Sequence, residues 1–111
     1  MDELLAYLRT QLEADERVAL RSVGSGRPNW TLEPDGDVAR IVEGEVTIIG
    51  RVDRLDAEHI VLWDPARTLA LTAALRRLLD EFSGEASETR ALVTLGAALY
   101  AGRPGWRDDW L

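Results

Sequence analysis

The middle of the chain changes its hydrophobic period, and this change constrains the fold more than any other feature. Residues 29–51 contain β-branched and aromatic residues separated by two turn signals, PDGD at 34–37 and EGE at 43–45. Asp-Gly is a strong hairpin signal because glycine adopts the positive φ that such turns require. The pattern predicts three short antiparallel strands near 29–33, 37–42 and 46–51. Since so small a sheet is unstable alone, one of its faces must pack on helices.

Helical periodicity flanks this segment on both sides. The leucines of residues 2–22 recur at spacings of three, four and seven, which is typical of one buried stripe on a helix. Further helices are predicted at 54–63, 65–82 and 87–101, followed by a short helical turn at 104–110. In the helix at 65–82 one apolar face is predicted to comprise Leu71, Leu75, Leu78, Leu79 and Phe82.

The length of the chain limits how these elements can be organised. At 111 residues it is the size of one domain with a real core and too short for two independent ones. We therefore predict an α+β fold. It is a single domain over 1–111, in which a three-stranded antiparallel β-meander packs against about four α-helices.

The stretch AEHIVLWDPAR, residues 57–67, contains an Asp-Pro step between two apolar runs. Asp64 followed by Pro65 has the form of a helix N-cap with proline at the first helical position. Pro65 also disfavours helical backbone at Asp64, so the preceding helix should end there. The pattern predicts a structural hinge at Asp64 and Pro65 between two helices.

His59, the single histidine of the chain, has two interpretations. It is either a metal ligand or base that acts with Asp56 or Asp64, as in a metal-assisted hydrolase, or a structural residue that stacks on Trp63 one turn away. The sequence offers no second histidine to complete a common zinc or iron site, which favours the structural interpretation. Within the functional interpretation, a proton switch near neutral pH fits a lone histidine best.

Composition excludes several chemistries. With no cysteine, the chain has no thiol nucleophile and no cysteine-ligated metal site. Its 20 acidic residues outnumber 13 basic residues, all of them arginine, for a net charge of −7. This balance argues against binding to a nucleic-acid backbone, which requires clustered cations. An acidic mimic of nucleic acid is an alternative prediction, although the arginines are interleaved with the acids along the whole chain.

Motifs and targeting signals point the same way. The sequence contains no nucleophile elbow, no phosphate-binding loop that ends in Lys-Ser or Lys-Thr, and no HExxH. Catalysis is therefore not the favoured prediction, and we expect no cofactor and no metal. The N-terminus begins with acids, and the apolar runs are far shorter than the roughly 20 residues of a membrane span. We expect a cytoplasmic protein, in a bacterial cell or an infected host cell, without membrane contact.

The C-terminal tail contains two of the four tryptophans. Trp106 and Trp110 are four residues apart, so a helical turn would place them on one side. They either fold back and close the core or form an exposed anchor for a protein partner, together with Arg103 and Arg107. Tryptophan and arginine are typical residues of binding hot spots.

Three stretches of the chain together resemble a known family. They are MDELLAYLRTQLEADERVA at the start, AEHIVLWDPAR in the middle and ALYAGRPGWRDDWL at the end. They are similar to a family of small actinobacterial and actinophage proteins known as a domain of unknown function. The matching positions are His59, Ile60, Asp64, Pro65, Ala66, Arg67, Pro104, Trp106, Arg107, Asp108, Asp109 and Trp110. The resemblance implies an actinobacterial or phage source but no activity, cofactor or catalytic residue.

These observations favour a non-catalytic protein–protein interaction module, an adaptor or an inhibitor. If the gene belongs to a phage, a host protein or a defence protein is the natural partner. A homodimer that uses the same apolar surface is an equally open alternative. The aromatic and arginine residues of the tail are the predicted partner-binding residues.

Overall fold

The computed structural model describes residues 2–23 and 27–111. They form, in order, the elements α1 (Asp2–Val23), β1 (Thr31–Asp35), β2 (Val38–Glu43), β3 (Val46–Asp53), α2 (Arg54–Leu62), α3 (Pro65–Asp80), α4 (Ala86–Tyr100) and a 3₁₀ turn (Asp108–Trp110). The α+β class and the three-stranded antiparallel sheet are confirmed. No helix within the described residues is both long and apolar enough to cross a membrane.

The sheet lies in one of two compact units, which comprises residues 15–72. Its strand order is β1-β2-β3, and both pairs are antiparallel. The two hairpin turns place Gly36 at φ +66° and Gly44 at φ +59°. Because this region is costly for residues with a Cβ, the glycines fix the positions of the turns, as the sequence predicts.

Among the described residues, helix α2 packs on all three strands of this sheet. Ala39 and Ile41 of β2 and Ala57 of α2 are buried together, with partly buried apolar residues around them: Trp30, Leu32, Ile49, Val52, Ile60 and Val61. The predicted number of helices that pack on the meander, about four, is therefore too high. Three strands spaced about 4.8 Å apart present a face roughly as wide as one helix, whose diameter is about 10 Å.

The start of α2 is fixed to the sheet from both sides. The Asp53 carboxylate accepts a hydrogen bond from the Leu55 amide at 3.0 Å and so caps the helix. The Arg54 amide donates to the Asp37 carbonyl in the first hairpin turn at 2.9 Å. These bonds satisfy two amides of the first helical turn, which have no partner within the helix.

The second unit comprises residues 1–14 and 73–111. Its described part contains the first half of α1, the second half of α3, α4 and the C-terminal tail. The apolar side chains buried in it are Leu4, Leu8, Leu12, Leu75, Leu79, Leu92 and Tyr100. The stripe of leucines predicted for α1 thus supplies three of these residues. The prediction of a single domain over 1–111 stays a prediction.

Several elements end at other residues than the sequence predicts. The predicted first strand, 29–33, is found at Thr31–Asp35, and the helix predicted to reach 82 ends at Asp80. The Phe82 amide donates to the Leu79 carbonyl at 3.4 Å. This bond joins residues three positions apart, as in a 3₁₀ turn, whereas α-helical bonds join residues four apart. The helical turn predicted over 104–110 is a 3₁₀ turn over Asp108–Trp110 only. Leu78, predicted on the buried face of its helix, is 54% exposed.

Candidate functional site

The C-terminal tail folds onto α1 through an aromatic cluster of Tyr7, Trp106 and Trp110. The ring centroid of Tyr7 lies 6.0 Å from that of Trp106 and 5.3 Å from that of Trp110. The two indoles meet edge to face at 5.2 Å. Each pair lies in the range where aromatic rings attract one another beyond simple burial. Both tryptophans are half-buried, so their rings are engaged within this unit.

Two hydrogen-bonded turns of the backbone bring the tail to this contact. The amide of Arg103 donates to the Tyr100 carbonyl at 3.0 Å, and that of Trp106 donates to the Arg103 carbonyl at 3.3 Å. Between them Gly105 has φ +92°, and a Cβ added there would lie 3.0 Å from Cε2 of Tyr7. Glycine at this position therefore serves both the turn and the close approach to the tyrosine ring.

Two arginines of the tail are held by neighbouring side chains. The Arg107 guanidinium donates to the Asp109 carboxylate at 2.6 Å and also bonds the Glu3 carboxylate. The hydrogen bond with Arg107 lowers the pKa of the Asp109 carboxyl, and the same contact raises the pKa of Arg107. Arg103 donates to the Gln11 side chain at 3.2 Å and lies 4.8 Å over the Tyr100 ring. Glu3 and Gln11 join the tail to α1.

Trp106 has one polar atom that the fold does not satisfy. Its Nε1 is buried and has no hydrogen-bond acceptor among the described residues. A buried donor without an acceptor costs about 1–3 kcal/mol. The ring contacts with Tyr7 and Trp110 must more than offset this cost for the tail to stay in place.

Asp64 and Pro65 lie between α2 and α3, where the sequence predicts a hinge. The Asp64 carboxylate caps α3 by accepting from the Arg67 amide at 3.0 Å, and its carbonyl accepts from the Thr68 amide at 3.1 Å. Pro65 has no amide hydrogen, and the Ala66 amide donates to the carbonyl of residue 28 at 2.9 Å. Every amide of the first turn of α3 is therefore accounted for.

The second carboxylate oxygen of Asp64 binds a distant part of the chain. It accepts from the Trp30 amide at 3.0 Å, while the Asp64 residue is only 8% exposed. Together with the bond from Ala66, this contact fixes the segment just before β1 to the start of α3. Asp64 thus connects the end of α2, the start of α3 and the segment before β1.

The predicted His59 site has a different geometry. His59 and Asp56 are exposed on α2, whereas both carboxylate oxygens of Asp64 bind backbone amides. In residues 2–23 and 27–111, no three histidine, cysteine or acidic side chains are grouped as a metal site would require. The group that lies over the Trp63 ring is the Arg67 guanidinium, at 4.3 Å.

A cleft between the end of α3 and the start of α4, here the α3–α4 cleft, was not predicted. It has a volume of about 140 Å³ and is apolar except for one carboxylate. It is lined by Leu78, Phe82, Glu88, Ala91, Leu92 and Leu95. Leu78 lies at its exposed edge and Leu92 is buried.

One acidic residue, Glu88, lines the cleft, and other acidic residues lie near it in the sequence, between Arg77 and Arg90. Residues 78–89 contain four acidic side chains and no basic one. The first two, Asp80 and Glu81, each form an ion pair with an arginine. Glu85 and Glu88 have no arginine partner among the described residues, and Glu88 accepts a hydrogen bond from the Ser83 hydroxyl. Negative charge therefore remains beside the apolar surface.

A family model matches residues 1–111, the whole of the chain. The chain belongs to DUF6221, a family of unknown function. This finding confirms the resemblance to a domain of unknown function. No curated protein and no solved structure matches the chain.

The sequence of this DUF6221 member does contain one sign of the cleft. The apolar stripe predicted for α3 includes Leu78, Leu79 and Phe82, and two of these three, Leu78 and Phe82, line the cleft. The structure buries Leu79 and leaves Leu78 exposed at the cleft. The contacts of the tail with Tyr7 had no such local sign, because they join residues about a hundred positions apart.

Proposed function

We propose that the chain is a non-catalytic protein-interaction module that binds a basic amphipathic helix in the α3–α4 cleft. The observation that carries this proposal is an apolar cleft lined by one acidic residue, Glu88, which has no arginine partner among the described residues. Helix-in-groove recognition places apolar anchors at spacings of three, four and seven residues into such a surface. Lysine or arginine residues beside those anchors would face Glu88.

The size of the cleft favours side chains of a protein over a small molecule. Its volume of about 140 Å³ is well below the roughly 300–1,000 Å³ of ligand pockets. It can accept one or two apolar side chains. The exposed edge at Leu78 extends this apolar surface outward, where further residues of a partner helix can pack.

Charge supports a basic partner. The chain carries a net charge of −7, and Glu88 in the lining of the cleft adds a local negative charge. Complementary charge raises the rate of association and selects among partners more than it adds affinity. The selectivity expected of an adaptor or inhibitor fits this arrangement.

The tail is less suited to be the partner-binding surface. An anchor must insert its ring into the partner, but Trp106 and Trp110 already contact Tyr7, and Arg107 is bound by Glu3 and Asp109. The tail therefore supports the alternative that the tryptophans close this unit. An actinobacterial or phage source, and with it a host or defence protein as the partner, is a hypothesis that rests on the resemblance alone.

The two other predicted functions gain no supporting contact. A metal-assisted hydrolase would use His59 with Asp56 or Asp64. The Asp64 oxygens are occupied by the amides of Trp30 and Arg67, and His59 and Asp56 are exposed on α2. An acidic mimic needs uninterrupted negative charge, whereas many acids of this chain are paired with arginines, such as Glu33 with Arg40.

The test uses a fluorescein-labelled amphipathic peptide of leucine and lysine, and a second peptide with glutamate in place of lysine. Fluorescence anisotropy should show binding of the lysine peptide and at least about tenfold weaker binding of the glutamate peptide. Leu78→Ser should weaken binding of the lysine peptide by a similar factor. Leu62→Ser is the matched control, because Leu62 is 51% exposed, nearly as much as Leu78. Equal effects of the two substitutions, or equal binding of the two peptides, would contradict the proposal.

A further inference from the structure

Helix α2 has apolar side chains on both of its faces. Its inner face, with Ala57, Ile60 and Val61, packs on the sheet. Its outer face presents Leu55, which is 75% exposed, and Leu62, which is 51% exposed. A surface helix of a monomer is normally polar on its outer face, so this pattern is typical of a helix that packs on both sides.

The outer face also has a repeating order that makes it complementary to itself. Residues spaced three, four and seven positions apart lie on the same face of a helix. The outer face of α2 has this spacing at Leu55, Glu58, His59 and Leu62. If a second copy lies antiparallel, with a two-fold axis between residues 58 and 59, Leu55 faces Leu62 of the second copy. In the same register Glu58 faces His59 of the second copy. A two-fold interface requires this reciprocity, in which residue i meets j and j meets i.

Charge favours this antiparallel register over a parallel one. A parallel pair would place Glu58 against Glu58, and like charges that face one another are unfavourable. The antiparallel pair places a carboxylate opposite an imidazole, which can donate a hydrogen bond to it. Among the described residues, Glu58 is paired with Arg54 at 4.0 Å, and its side chain is 58% exposed, so the carboxylate can also reach a second copy.

We propose that the chain forms a homodimer in which α2 packs antiparallel on α2 of a second copy, with leucine contacts outside and Glu58–His59 contacts at the axis. The surface lies within residues 15–72 and shares no residue with the α3–α4 cleft, so it is independent of the proposed function. A pair of nine-residue helices buries less than the roughly 1,200 Å² of stable complexes. The dimer should therefore be reversible and depend on protein concentration.

The first experiment is sedimentation velocity of the full chain over a range of concentrations from micromolar to millimolar. The wild-type protein should move from monomer to dimer, and Leu62→Ser should raise the dissociation constant at least about tenfold. Leu78→Ser, on an equally exposed leucine of α3, should leave dimerisation unchanged. Circular dichroism confirms that each variant is folded.

The second experiment tests the register. His59→Glu would place two carboxylates opposite each other and should weaken the dimer. Adding Glu58→Arg to that variant restores opposite charges across the axis and should recover most of the lost affinity. A monomer at every concentration would overturn the proposal. So would a dimer that Leu62→Ser does not weaken, or one that Val46→Arg on the edge strand β3 disrupts instead.

Discussion

At the scale of single residues, Trp106 combines a favourable and an unfavourable contribution. Its ring packs on Tyr7 and Trp110, while its Nε1 is buried without an acceptor among the described residues. Phenylalanine would keep most of the packing and remove the unsatisfied donor. Alanine would remove both.

We expect Trp106→Phe to change the free energy of unfolding by less than about 1 kcal/mol and Trp106→Ala to lower it by about 2–3 kcal/mol. Urea unfolding monitored by circular dichroism measures both values. Trp63→Ala is the control for loss of a more exposed indole and should have a smaller effect than Trp106→Ala. If Trp106→Ala left stability unchanged, the tail would add nothing to this unit and the anchor interpretation would regain support.

At the scale of elements, the two aspartate caps of residues 15–72 differ in what they connect. Asp53 is exposed and binds one amide in its own helix, α2. Asp64 is buried, caps α3 and also binds the Trp30 amide before β1. Removing Asp64 therefore leaves amides in two segments without their acceptor.

Asp64→Ala should lower the free energy of unfolding by about 2–3 kcal/mol, the sum of a lost cap and an unsatisfied buried amide. Asp53→Ala should cost about 1 kcal/mol or less, since water can reach the freed amide. Urea denaturation of both variants at neutral pH gives the comparison. Equal losses would show that the bond from Trp30 to Asp64 contributes nothing to stability.

These elements also show how far the sequence could predict the structure. The hairpins and the Asp64–Pro65 joint were predictable because Asp-Gly and Asp-Pro restrict backbone dihedrals locally. The contacts of Asp64 with Trp30, and of Tyr7 with the tail, could not be predicted. They join residues far apart in the sequence, and no local sequence pattern indicates them. The exposed Leu55 and Leu62 were missed for another reason. In a nine-residue helix, the spacing that places residues on one face does not show which face is buried.

At the scale of the whole molecule, the α3–α4 cleft and the outer face of α2 are apolar surfaces that share no residue. The α3–α4 cleft lies within residues 73–111 and the outer face of α2 within residues 15–72. The cleft has one acidic lining residue, Glu88, and is the surface proposed to bind a basic partner. The other is complementary to itself. A dimer formed through α2 as proposed would present two α3–α4 clefts, the arrangement expected of the adaptor proposed above.

The double variant Leu62→Ser/Leu78→Ser tests whether the two surfaces act separately. Because both leucines are exposed, the variant should stay folded, with a urea midpoint close to that of the wild type. Its dimer dissociation constant should be raised, and its binding of the lysine peptide weakened, each by the factor measured for the corresponding single variant. Independent surfaces give additive free energies. A double variant whose peptide binding is weaker than that of Leu78→Ser alone would show that dimerisation contributes to partner binding, and the two surfaces would then act as one.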